Sequence, residues 1–285
     1  MWDDPSEQKQ DIDGHESVFQ ITIFFLYLAA GLAFALSRWP RYEAHARALL
    51  AVAIACCLPG LLFHAYVLWE AVLPPQGLSL SLANTASFIG LQLAFVAFVA
   101  AKEARLRGLC GGLLLLAAVT ASMTGWNANA TSNSVLTWQL QAHVLISLFA
   151  YGLLTVGAIV AIYALIQDRR LHSGKLSPIN QLFAPLETTE RLLYGITSAG
   201  FAALLLAVFS GFVFVEDLFA QHLTHKTALS ILALLLFGIL LAGRYFAGWR
   251  GRSAVFLYLW GFAMLILAYF GSRFVLENLL GRNWY

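Results

Sequence analysis

Apolar residues run along this chain in eight long blocks, approximately 17–37, 48–72, 83–101, 108–124, 137–166, 192–215, 227–243 and 254–280. Many are close to the ~20 residues that an α-helix needs to cross a bilayer. Inside the blocks the apolar positions follow one another without the alternation that a membrane β-barrel strand shows. In lipid, each backbone N–H and C=O must find its partner within its own segment, so every block is expected to be a helix. The predicted fold is all-α: a polytopic membrane bundle of eight transmembrane helices. Residues 1–16 are polar and acidic and read as a flexible tail outside the cytoplasm. Residues 17–285 read as one membrane domain, with the lipid bilayer as its solvent.

Composition sharpens this picture. Hydrophobic residues make up 60% of the chain and charged residues 11%, against about 25% charged in an ordinary soluble domain. A separate soluble domain has no room in such a sequence. No glycine-rich phosphate loop and no basic, aromatic surface for nucleic acid is present, so no nucleic-acid partner is expected. Cys56, Cys57 and Cys110 all lie inside apolar blocks. They lack the C-x-x-C spacing of a redox or zinc site and the C-x-x-C-H of covalent haem attachment.

The net charge of +2 says little, but its distribution sets an orientation. Alternate links are basic: Arg38, Arg41 and Arg47; Lys102, Arg105 and Arg107; Arg169, Arg170, Lys175 and Arg191; Arg244, Arg250 and Arg252. Of the 17 Lys and Arg residues, only Lys9, Lys226, Arg273 and Arg282 fall elsewhere. By the positive-inside rule the basic links are cytoplasmic, which places both termini outside. Trp69, Trp126, Trp138 and Trp284 then fall at the outer boundary and Trp39 and Trp249 at the inner one, where amphipathic rings prefer to sit.

Polar side chains inside a membrane are costly, so they mark candidate chemistry. His64 lies in the second block and His143 near the start of the fifth. At 1.5 Å per residue they sit about 12 Å and about 9 Å below the outer surface. Two imidazoles at similar depth on antiparallel helices could ligate one haem iron from opposite faces, although either could equally be a histidine hydrogen-bonded to a neighbouring helix. His222 and His225 are three apart, on one face if their link is helical, where they could bind a metal or haem propionates; the alternative is a solvated loop. Arg273 and Glu277 are spaced to pair with each other, and Arg273 could instead hold a ligand carboxylate. No nucleophile or acid–base pair with a sensible partner is legible, which favours a binding protein over an enzyme.

Several stretches of the second half resemble a known family. They are Gln141-Ala142-His143-Val144 with Leu148-Phe149-Ala150-Tyr151; Pro185-Leu186-Glu187 with Glu190-Arg191; Ser210-Gly211; Gly248-Trp249-Arg250-Gly251-Arg252; and Leu267-Ala268-Tyr269-Phe270-Gly271-Ser272-Arg273. In this order, over about 137–280, they resemble the cytochrome c assembly protein family of the CcsA, CcmC and HemX type, with the closer match to its YpjD-like inner-membrane branch. The first half resembles that branch through His64 and Leu78-Ser79-Leu80. The resemblance implies a multi-pass protein of a bacterial inner membrane that binds or handles non-covalent haem b in c-type cytochrome biogenesis. It implies that His143 is a haem ligand near the outer face, with His64 as partner. Two departures stand out. The tryptophan-rich segment expected before the seventh span reads Phe219-Ala220-Gln221-His222-Leu223-Thr224-His225-Lys226, and no histidine follows the eighth span. Full synthase activity is therefore not expected. The competing reading is a non-catalytic accessory subunit of a membrane transporter or metal-ion export system. Expected partners are haem and other maturation or transporter components.

Overall fold

The computed structural model describes residues 5–73, 81–124, 137–172, 184–214 and 221–268. The long elements among them are eight α-helices: α1 (Pro5–Leu36), α2 (Ala46–Val72), α3 (Leu82–Ala100), α4 (Arg107–Ala121), α5 (Trp138–His172), α6 (Leu186–Phe214), α7 (Gln221–Ala247) and α8 (Arg252–Ile266). Short 3₁₀ turns, Pro40–His45 and Ala104–Leu106, precede α2 and α4. Seven helices contain a stretch long and apolar enough to cross a membrane; α8 is apolar and shorter within the described residues. The chain is thus an all-α, polytopic membrane protein.

Helix ends and apolar block ends differ where polar residues continue a helix. α1 starts at Pro5, inside the acidic segment read as a flexible tail, while its apolar span is Val18–Leu36. Acidic residues suit a helix N-terminus, where the macrodipole is positive. α6 and α7 start at Leu186 and Gln221, before their apolar blocks do. Hydropathy marks where lipid begins, whereas a helix ends only where its backbone hydrogen bonds end.

The helices fall into two compact units, α1–α4 and α5–α8. In the first, α1 packs on α2 and α4, and α3 packs on α2 and α4, which closes a ring of four helices. In the second, α5 packs on α6 and α8, and α7 packs on α6 and α8, closing a second ring. Helices in lipid gain little from burying apolar surface against each other, so close backbone approach at small residues matters more. The crossing of α1 and α4 shows this directly. A Cβ on Gly111 would lie 2.8 Å from the Gly31 carbonyl oxygen, and one on Gly31 would lie 3.0 Å from the Gly111 oxygen.

In the second unit, contacts between α5 and α6 define an antiparallel register. The Trp138 ring meets that of Phe214 with centroids 6.4 Å apart, Leu154 covers Gly200, and Thr189 donates to Gln167 at 3.3 Å. Gly157 and Gly200 give room to Tyr258 and Leu154, whereas a Cβ on Gly195 would meet nothing within 4 Å.

The family-like stretches around 185–191 and 248–252 meet in this unit. The Glu190 carboxylate accepts the Gly251 N–H at 2.9 Å, just ahead of α8. Tyr194 donates to the Trp249 carbonyl at 3.0 Å, and the Arg244 guanidinium lies 4.6 Å from the Tyr194 ring centre. Gly248 and Gly251 have φ of +67° and +73°, backbone that L side chains rarely adopt. These residues therefore build the corner between α7 and α8.

Tyr258 of α8 reaches across Gly157 and donates to the Leu154 carbonyl at 2.8 Å, fully buried. Tyr258→Phe is expected to cost about 0.5–1.5 kcal/mol, because that carbonyl keeps its place in the helix and only the extra bond is lost. Unfolding by sodium dodecyl sulfate in mixed micelles measures the difference.

Candidate functional site

Among the described residues a histidine centres a polar network in each unit. The first surrounds His64. Its ring is 0% exposed and both nitrogens are engaged. Nδ1 faces the Tyr27 hydroxyl of α1 at 3.1 Å, and Nε2 faces the Ser87 hydroxyl of α3 at 2.8 Å. Ser87 continues to Thr124, after α4, at 2.6 Å, and Thr124 donates to the Ala121 carbonyl at 2.8 Å. A carbonyl can only accept, and each hydroxyl has one hydrogen, so the direction of the whole chain follows. Thr124 donates to Ala121, Ser87 to Thr124, His64 Nε2–H to Ser87, and Tyr27 to His64 Nδ1. The histidine is the neutral Nε2–H tautomer, joining all four helices of the first unit. Gly60 gives Tyr27 its space: a Cβ there would come within 2.9 Å of the tyrosine ring. Gln20 of α1 ties the same end of α4 by donating to the Thr124 carbonyl at 2.6 Å.

The second centre surrounds His143 of α5. Nδ1 lies 2.9 Å from the Ser210 hydroxyl of α6, and Ser210 in turn donates to the Ala207 carbonyl at 2.9 Å. Gly211 supplies the space: a Cβ there would stand 3.1 Å from His143 Cε1. Nε2 has no hydrogen-bond partner among the described residues. Toward the helix ends, the Trp138 and Phe214 rings meet with centroids 6.4 Å apart. Residues 139–147 of α5 are all partly exposed, whereas deeper in the helix Ala150, Leu154, Val156, Val160, Ala161 and Ala164 are buried. This end of α5 is incompletely covered on every face.

The other sequence candidates divide as follows. His222 and His225 fall in the first turns of α7, so the helical spacing expected of them holds for the backbone. Arg273 and Glu277 lie outside the described residues. Cys56, Cys57 and Cys110 are free thiols. No cluster of three or more His, Cys, Asp or Glu suited to a metal ion occurs among the described residues. Tyr27, Ser87, Thr124 and the role of Ser210 were not singled out from sequence.

The chain is thus a polytopic helical membrane protein whose α5 carries His143 with Nδ1 held by Ser210 of α6. The chain belongs to the Cytochrome C assembly protein family, which it matches over residues 53–280. It is 35% identical to the inner membrane protein YpjD of Escherichia coli over 234 residues, 79% of this chain and 86% of that protein. It is 24% identical over 162 residues to the cytochrome c biogenesis protein CcsA of Guillardia theta, 51% of this chain and 54% of that protein. With CcsA of Prochlorococcus marinus it shares 26% over 166 residues, again 51% of this chain and 54% of that protein. No solved structure matches it.

Proposed function

We propose that this protein binds haem non-covalently in a bacterial inner membrane and serves c-type cytochrome biogenesis by holding that haem, without itself acting as a synthase. Family membership supports the process. The observation that carries the ligand assignment is the seat of His143: its Nδ1 is fixed to Ser210 and its Nε2 has no described partner.

The residues present fit the group. A haem-ligating imidazole needs one nitrogen with a free lone pair, and the other is ordinarily hydrogen-bonded to fix the ring. His143 meets both conditions. His64 does not in this fold, since iron binding would break its bond to Tyr27 or Ser87. We therefore propose that His143 would hold the haem iron and that His64 serves as scaffold. His222, His225 and Arg273 remain the proposed further contacts that would hold the iron or the propionates. Bound haem supplies a redox-active iron and a broad apolar face. The protein supplies a neutral imidazole, a partly open helix surface, and spans that exclude water. The basic links face the cytoplasm in this reading, so the His143 end of α5 faces outward.

The purified protein in detergent is expected to give a Soret band on haemin titration, and His143→Ala to lose it or weaken it by at least tenfold in affinity. A wild type that stays colourless with excess haemin, or an unchanged band in the variant, would reject the assignment. Recovery of a haem-free protein bound to a transporter would favour the accessory-subunit reading.

A further inference from the structure

We propose that Ser210 is a positioning residue that selects the tautomer of His143, so that Nε2 rather than Nδ1 is the nitrogen presented to a ligand. This rests on His143 being the haem ligand for its biological meaning, but its physical content stands on the apo structure.

Neutral imidazole carries one N–H, and which nitrogen bears it follows from its surroundings. In water the Nε2–H form is the commoner one. The His143 seat reverses that preference. The Ser210 hydroxyl has a single hydrogen and two acceptors within reach: the Ala207 carbonyl at 2.9 Å and His143 Nδ1 at 2.9 Å. Were the hydrogen given to Nδ1, the carbonyl would lose the extra bond and the serine oxygen would gain none. With it given to the carbonyl, Nδ1–H can donate to the serine oxygen, and both contacts are hydrogen bonds. Serine in a helix commonly donates to a carbonyl one turn back, which further favours this arrangement. The lone pair then lies on Nε2.

His64 provides the internal contrast. There the hydrogen-bond direction places the proton on Nε2 and uses the Nδ1 lone pair for Tyr27. The two intramembrane histidines are thus held in opposite tautomers, one closed by its partners and one poised to bind. Gly211 completes the seat by letting the ring lie flush against α6. With a Cβ at 3.1 Å from Cε1, an alanine there would push the ring outward. A hydroxyl is a neutral acceptor, so the imidazole it supports stays neutral too.

The test starts with the haem-free protein. Nitrogen-15 spectra of histidine-labelled protein in detergent, with the His143 signals identified by their loss in His143→Ala, report the tautomer. Wild type is expected to show Nδ1–H, Ser210→Ala to shift to Nε2–H, and Ser210→Thr to keep Nδ1–H. On haemin titration Ser210→Ala is expected to lose about 10–100-fold in affinity, the usual cost of removing such a support, while Ser210→Thr stays near wild type. An Nε2–H wild type overturns the inference, as does a Ser210→Ala protein with unchanged tautomer and affinity. A tautomer switch in a protein that binds no haem supports the seat and rejects the haem reading, so the two claims fail separately.

Discussion

His64→Ala is expected to lower the unfolding free energy of the purified protein by about 3–8 kcal/mol, enough to threaten folding outright. Truncating a large buried side chain to alanine leaves a cavity worth roughly 2–5 kcal/mol. An orphaned buried hydroxyl adds about 1–3 kcal/mol. Tyr27 would lose its acceptor while 0% exposed, with no water at hand to replace it. Ser87 would lose a donor but keep its bond to Thr124. His64→Gln separates the cavity from the polarity. Its carbonyl oxygen can accept from Tyr27 and its amide can donate to Ser87, in the same sense as the imidazole, so at least half of the loss should return. Detergent unfolding curves for the three proteins decide it. If His64→Ala were as stable as wild type, the relay would not be a structural element of the first unit. If His64→Gln also kept the haem spectrum, a scaffolding role would be favoured over iron ligation.

The second large effect is expected at the crossing of α1 and α4. Gly111→Leu should prevent these helices from reaching their present separation. The obstacle is a backbone oxygen, Gly31 O, already only 2.8 Å from where a Cβ would stand. A side chain can rotate away from an intruding atom, but a helix carbonyl cannot. Overpacking of this kind costs about 1–3 kcal/mol for modest insertions, and leucine adds three further carbons beyond the first. Gly112→Leu is the matched control, because a Cβ there meets nothing within 4 Å. Membrane-inserted yield and thermal aggregation temperature should fall sharply for position 111 and hardly change for position 112. Equal behaviour at the two positions would remove the crossing from the account of what holds the first unit together.

The fold was legible because lipid leaves a chain so few options. Long apolar blocks must be helices, and their number, type and approximate ends follow from that constraint alone. The helix starts at Pro5, Leu186 and Gln221 were less legible, since polar residues sustain a helix beyond the lipid without any hydropathy signal. His143 and His64 were visible because an imidazole in a membrane is rare. Their different surroundings were not visible. Serine and threonine in a span usually bond back to their own helix, as Thr22, Thr155 and Thr197 do here. Nothing in the local sequence marks Ser87 and Ser210 as exceptions that also meet a histidine. That depends on register between helices, which packing sets. The Gly31–Gly111 contact was missed for the same reason: the two glycines lie on different helices and meet only in space. The Glu190 and Gly248–Arg252 stretches stood out as family-like. The structure gives them an architectural task at a helix corner.

The row of groups from Tyr27 to Ala121 behaves like compass needles on a common string. Its final member is a carbonyl, which cannot turn round, and this pins the orientation of every O–H and N–H before it. Valine in place of Thr124 would cut the string at the rim of α4. Each hydrogen upstream would then be free to swing the other way, and a phenol deep in α1 would sense the exchange with no backbone atom having moved.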